Sequence, residues 1–215
     1  MNLFHDTSSI IAYCFINDSW NKRAEIVFER YPSHYTSNRV IDEFREKEEE
    51  IIEEFHSKIS EFSEKIRGSN KNVFYVDDRT RLPRKADRSI QGFVREVLEL
   101  IEFPKSREEL ADLFMDLYIY FLKVKNERFD ELIESVLKIH SRDMEYPELE
   151  EKLKEIGIHN GKRDRGILLD AHDLAVTSSI SVCFVTTDDY ICEENKQKVL
   201  DLLQLIEIID LRYMM

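Results

Sequence analysis

Short apolar runs closed by acids or turn residues alternate with amphipathic stretches of helical period, and this alternation limits the chain's fold more than any other feature. "NLFH" ends at Asp6 and "VCFVTT" ends at Asp188 and Asp189. "IEIIDL" closes the sequence as a third strand candidate. Between them, "SSIIAYCFI", "WNKRAEIVFERY", "RDRGILLDAHDLAVTSSIS" and "NKQKVLDLLQL" carry apolar residues at helical spacing. Strands separated by helices predict an α/β fold with a mainly parallel sheet covered on both faces.

The middle of the chain reads differently. "PSHYTSN" is a strand or loop that leads into a helix, where Val40, Ile41, Phe44, Ile51, Ile52, Phe55, Ile59, Phe62 and Ile66 recur mostly at three or four, with Gly68 as the stop. "NVFYVDD" (72–78) is a further strand candidate. From Ser89 to Ile158 the pattern is nearly all helical. Ser106 and Glu109 form a capping box in "SREEL", Pro147 takes a first-turn position, and Gly157 is a stop. We therefore expect one domain over residues 1–215, carrying a helical insertion at 89–160.

Charge and cysteine usage narrow the function. With 215 residues and a formal net charge of −13, the chain is unsuited to general adhesion to nucleic acid, so any such role needs a local basic patch, a metal ion or a partner. One compact basic segment exists, "DRTRLPRKADR", with Arg79, Arg81, Arg84, Lys85 and Arg88. It is a candidate contact for phosphates, although a solvated loop has the same composition. Cys14, Cys183 and Cys192 lack metal-type spacing, which argues against a zinc site or disulfide framework and for a reducing compartment. The start has no basic region followed by a long apolar stretch, and no run of about 18 apolar residues occurs, so a soluble cytoplasmic protein is expected.

The acids carry the candidate chemistry. In parallel α/β sheets the carboxyl ends of the strands share one edge, and ligands bind in the crevice there. Asp6 and Asp188 end strands on that edge, and helix starts open on it too, which adds Glu43 and Asp170 or its neighbour Asp173. Ionised carboxylates so placed repel one another and recruit a hard cation, for which Mg²⁺ or Mn²⁺ is the natural choice. Such a cluster is suited to phosphoryl transfer. Taken singly, Asp6, Glu43 or Asp188 is more often a helix cap or loop acid than a ligand. His5 and His172 flank acids but are more economically structural, and neither belongs to the catalytic set.

In order, "FHDTSSII", "YTSNRVIDEF", "ILLDAHDLAV" and "FVTTDDYI" resemble the PIN domain, a family of metal-dependent ribonucleases. The resemblance covers roughly residues 1–78 and 162–212. It implies a three-layer fold and an acidic quartet of Asp6, Glu43, Asp170 and Asp188 that holds Mg²⁺ or Mn²⁺. Asp170 is preferred because it precedes Asp188 by the 18 residues usual in the family, and Asp173, at i+3, shares its helix face. Thr7, Thr187 and Asp189 are supporting candidates. The implied activity is endonucleolytic hydrolysis of single-stranded RNA, leaving a 5′-phosphate and a 3′-hydroxyl. The alternative is a weakly active or inactive module of the same fold whose inserted helices bind a protein partner, and homodimerisation is compatible with either. A haloacid-dehalogenase-like phosphatase fits less well, because it needs a second Asp at position 8, where this chain has Ser8.

Overall fold

Strand β1 (Asn2–His5) lies at the centre of a five-stranded sheet. The computed structural model describes residues 1–158 and 162–214. After β1 the chain forms α1 (Thr7–Cys14), α2 (Asn21–Arg30), β2 (Ser33–Ser37) and α3 (Asn38–Arg67). The short pair β3 (Val73–Phe74) and β4 (Lys105–Ser106) encloses three 3₁₀ turns and α4 (Gln91–Leu100). Helix α5 (Arg107–Glu131) passes through a π-helical turn into β5 (Leu137–His140). The chain ends with α6 (Pro147–Glu155), α7 (Lys162–Thr177), β6 (Val182–Thr186), a π-helical turn at Tyr190–Glu194, α8 (Lys196–Leu202) and β7 (Glu207–Asp210). Among the described residues no helix is long and apolar enough to cross a membrane.

The sheet order is β5-β2-β1-β6-β7, and all four pairings are parallel. The chain moves outward from β1 through β2 to β5, then returns to the other side of β1 with β6 and β7. The switch point of the topology therefore lies between β1 and β6. Burial on both faces explains the nearly unbroken apolar runs of these two strands. Leu3, Cys183, Val185 and Ile209 pack with Ala12 of α1 and with Ala24 and Val27 of α2. Phe4 and Phe184, the adjacent positions in register, alternate to the opposite face and stack at 6.1 Å.

Two compact units make up the chain: Met1–Glu46 with Glu127–Met215, and Lys47–Asn126. The first contains the five-stranded sheet. The second is built around ring contacts of α3, α4 and α5, including Phe55 with Phe121 at 4.4 Å, Phe55 with Phe93 at 5.2 Å and Phe62 with Phe114 at 4.9 Å. The sequence reading places the insertion at 89–160, and its end at residue 160 lies outside the described residues.

Local signals explain most element boundaries. Ser106 and Glu109 form the capping box at the start of α5, with bonds of 3.2 and 2.8 Å. α6 begins at Pro147, and Gly157 beyond its end has φ of +101°. A β-carbon there would also meet the Tyr190 hydroxyl at 2.7 Å. Gly157→Ala should therefore lower stability by about 1–2 kcal/mol, read as a lower midpoint in urea. An unchanged midpoint would show that the turn relaxes without strain.

Two elements differ from the sequence reading. β5 occupies a stretch read as helix, because Leu132, Val136 and His140 continue the helical spacing of α5 and no Gly or Pro marks the change. As an edge strand, β5 buries Leu137 but leaves Lys138 and Ile139 exposed, so its pattern carries little strand signal. The expected strand at 72–78 shrinks to Val73–Phe74. Asp78 accepts a 2.8 Å bond from the Tyr75 backbone N–H, and Lys71 Nζ lies 2.5 Å from the same oxygen, turning the chain into a 3₁₀ helix.

Candidate active site

Asp6 follows β1 directly and caps α1 through a 2.7 Å bond from the Thr7 N–H to its Oδ1. Its backbone N–H still bonds Val185 O of β6 at 3.0 Å, which pins the residue at the switch point. Oδ2 accepts from Thr186 Oγ1 at 2.7 Å and from Ser8 Oγ at 3.0 Å. Thr7 points elsewhere and donates to Glu43 Oε2 at 2.7 Å, so one residue joins the first acid to the second. Glu43 reaches this place because β2 ends at Ser37 and α3 starts at once, with Glu43 in its second turn.

Asp188 joins the same network through Thr186, whose Oγ1 accepts the Asp188 N–H at 3.1 Å. Its Oδ1 accepts the N–H groups of Tyr190 and Ile191 at 2.8 and 3.2 Å, capping the π-helical turn. Among the described residues its Oδ2 accepts no hydrogen bond. Asp6 and Asp188 are thus helix caps, as the simplest reading allows, and they also sit at the carboxyl ends of β1 and β6, the switch point of the sheet. Burial holds the Asp6 carboxyl above the usual carboxylate range; the Thr186 hydroxyl opposes this, and the charge of Glu43 adds to it.

Asp170 has different company. It is buried in α7, with Arg39 Nε 3.4 Å from Oδ2 and Arg142 Nε 3.4 Å from Oδ1. Arg39 reaches it by passing over Gly166, where a β-carbon would lie 2.8 Å from its side chain. Burial raises the Asp170 pKa against the lowering effects of Ser37, Arg39 and Arg142. Asp170 Oδ1, Ser37 Oγ and Arg142 Nη1 are all buried without a hydrogen-bond partner. Oδ1 is nevertheless charge-paired with Arg142 Nε, and Arg142 Nη1 is the buried donor left over beside it.

The remaining candidates separate. Asp173 is fully buried and accepts from His140 Nε2 at 2.9 Å, the Asp143 N–H at 3.1 Å and the Tyr146 hydroxyl at 2.8 Å, so it ties down the segment after β5. Asp189 is exposed and paired with Arg212. Thr187 contributes its backbone N–H to Ser8 Oγ at 2.9 Å, and the hydroxyl that orients Asp6 belongs to Thr186. His5 bonds Ser9 and His34 and stacks on Phe28 at 4.2 Å, while His172 accepts the Gln204 N–H at 2.9 Å.

Sequence reasoning missed Arg39 and Arg142. Their i-to-partner separations of 131 and 28 residues leave no local trace, although an arginine one turn before Glu43 on the same helix face was a usable signal. In the basic segment, Arg79 is committed to Ile101 O at 2.6 Å and to the ring of Phe103. Arg81, Arg84, Lys85 and Arg88 are exposed.

The oxygen donors suit a hard cation in a limited way. Asp6 and Glu43, joined by Thr7, offer the two carboxylates that Mg²⁺ commonly takes alongside waters and substrate oxygens. Among the described residues no three His, Cys, Asp or Glu side chains are grouped to hold a metal, and Asp170 faces two guanidiniums. Of the four acids, Asp6 and Glu43 are the pair that a single side chain, Thr7, connects, whereas Asp170 is already charge-paired.

Fold and site together define an α/β protein with a five-stranded parallel sheet and carboxylates linked by hydroxyls at its switch point. In comparisons with known proteins, the chain matches no family model, no curated protein and no solved structure.

Proposed function

We propose that this chain is a PIN-like, metal-dependent endoribonuclease that hydrolyses phosphodiester bonds of single-stranded RNA. The observation that carries the reading is the convergence of Asp6, Glu43 and Asp188 through the hydroxyls of Thr7 and Thr186 at the β1/β6 switch point. Asp6 and Glu43 would hold Mg²⁺ or Mn²⁺, with Asp170 and Asp188 as the further acids of the quartet. The bound cation supplies an activated water and offsets charge on the phosphate. Thr186 and Ser8 keep the Asp6 carboxylate in one orientation. Arg39 and Arg142 place positive charge beside Asp170, where a non-bridging phosphate oxygen can find the donors that Asp170 leaves unused. Burial shifts the Asp6 carboxyl upward, so cation affinity should rise with pH through the range in which Asp6 ionises.

The test is cleavage of a 5′-labelled single-stranded RNA with Mn²⁺, paired with calorimetric titration of Mn²⁺ into the protein. We expect fragments with 3′-hydroxyl ends, loss of cleavage in EDTA, and a weaker Mn²⁺ isotherm for Glu43→Gln. Absence of both cleavage and Mn²⁺ binding would overturn the proposal. That outcome would favour the second reading, an inactive module docking a protein partner, which the guanidiniums on Asp170 support because they neutralise it without a metal.

A further inference from the structure

Between Lys65 and Arg88 the chain carries eight Lys and Arg against three Asp, a local charge of +5 in a protein of net −13. This stretch lies wholly in the unit Lys47–Asn126 and follows the end of α3. Two adjoining clefts of about 470 and 750 Å³ open there and share Ser69, Asn70 and Lys85. The first is also lined by Lys71 and Arg81, and the second by Lys65.

Not all of these cations are available. Lys65 pairs with Glu61 at 2.6 Å, and Lys71 pairs at 2.5 Å with Asp78, the one carboxylate lining the clefts. That pairing neutralises Asp78, whose pKa is lowered because the bonds from Lys71 and the Tyr75 backbone outweigh the effect of burial. Arg81, Arg84, Lys85 and Arg88 are exposed and have no ion-pair partner among the described residues. Four exposed cations within eight residues set up a local positive field that attracts a polyanion.

An aromatic side chain adjoins Lys71 at the edge of the first cleft. Tyr75 is 55% exposed, stands next to the cleft-lining Phe74, and has the Lys71 ammonium 5.5 Å from its ring centroid. It also lines a neighbouring shallow pocket of about 230 Å³ with Phe103 and Pro104. A groove of cations beside an open ring is the combination that binds single-stranded nucleic acid, with the cations following the phosphates and the ring stacking on a base. An acidic peptide would use the cations but not the ring, and a membrane would need a flatter, more apolar rim.

We infer that the clefts beside Arg81 and Lys85 form a binding site for single-stranded RNA, with Tyr75 as its stacking platform. The site deepens the ribonuclease reading by giving the substrate strand a place on the second unit, yet it rests on its own residues. Arg81, Lys85, Arg84 and Arg88 contact phosphates without reading sequence, so affinity depends steeply on salt and little on base identity.

The test is fluorescence anisotropy of a labelled oligouridylate of about 12 nucleotides, in EDTA to prevent cleavage. Arg81→Glu with Lys85→Glu should weaken binding at least tenfold and flatten the log affinity against log salt by about 1.4, the loss of two phosphate contacts. Tyr75→Ala should weaken it about tenfold with the salt slope unchanged. A control of equal charge change on α6, Lys152→Glu with Lys154→Glu, should bind within about twofold of wild type. Equal binding by the cleft and control variants would overturn the inference. So would equal affinity for duplex RNA, or displacement of the strand by polyglutamate as readily as by unlabelled RNA. Asp6→Asn separates the two proposals: it should lose cleavage and keep this affinity, so failure of one reading leaves the other measurable.

Discussion

Asp6→Asn should lower RNA cleavage at least about a hundredfold while leaving a folded protein whose thermal midpoint at pH 7 equals or exceeds that of the wild type. Under the proposed function the loss follows because the substitution would remove the charge that holds the cation. The fold should tolerate it because Oδ1 can still accept the Thr7 N–H, and the new amide can donate to the rotatable hydroxyls of Ser8 and Thr186. Burial raises the Asp6 pKa, so the folded chain holds this proton to higher pH than the unfolded chain does. Ionising the group above its unfolded value of about 3.9 therefore costs stability, increasingly until the folded pKa is passed. The variant lacks this cost, and its advantage should disappear in acid, below both values. Cleavage at the wild-type rate in saturating Mn²⁺ would remove Asp6 from the site, and a collapse of the midpoint would make it a structural cap alone.

The largest effect on stability should come from Asp173→Ala, at about 3–5 kcal/mol by urea unfolding. The carboxylate is fully buried and serves three donors, from His140, Asp143 and Tyr146, which the alanine would leave without an acceptor. Burial alone would raise its pKa, but the bonds from Tyr146, Asp143 and His140 together hold it below the usual carboxylate value. Its contribution is thus present above the unfolded pKa and lost as the pH falls through the lower, folded one. Asp173→Asn, which keeps one acceptor oxygen, should cost less than the alanine. A midpoint within error of wild type for both would show that this anchor contributes nothing to folding. The contrast with Asp170, three residues earlier on α7, is instructive. Asp170→Asn should impair cleavage, and its amide oxygen can still accept from Arg39, whose side chain is 41% exposed.

Local chemistry made much of this legible. Ser106 with Glu109, Pro147, Gly68 and Gly157 act within a few residues of themselves, so a reader of the chain can place the ends of α3, α5 and α6. β5 was hidden because its signal is weaker than the helical spacing that runs into it. At the site, proximity along the chain was a poor guide to role. Thr187 and Asp189 flank Asp188 and look equivalent to it, yet the hydroxyl on Asp6 comes from Thr186, and Asp189 turns out to Arg212.

By itself the sequence determined the α/β class, the parallel sheet and the placing of Asp6 and Asp188 at the carboxyl ends of strands. Periodicity reports whether a position is buried and in what element, and those features need nothing more. Only the tertiary structure decided that β6 lies beside β1, which brings Thr186 onto Asp6 across 180 residues. It also decided that Arg39, over Gly166, attends Asp170, and that Asp173 anchors a loop. The reason is physical: periodicity encodes how much of a side chain meets water, whereas strand order and long-range hydrogen bonds select which neighbour replaces that water.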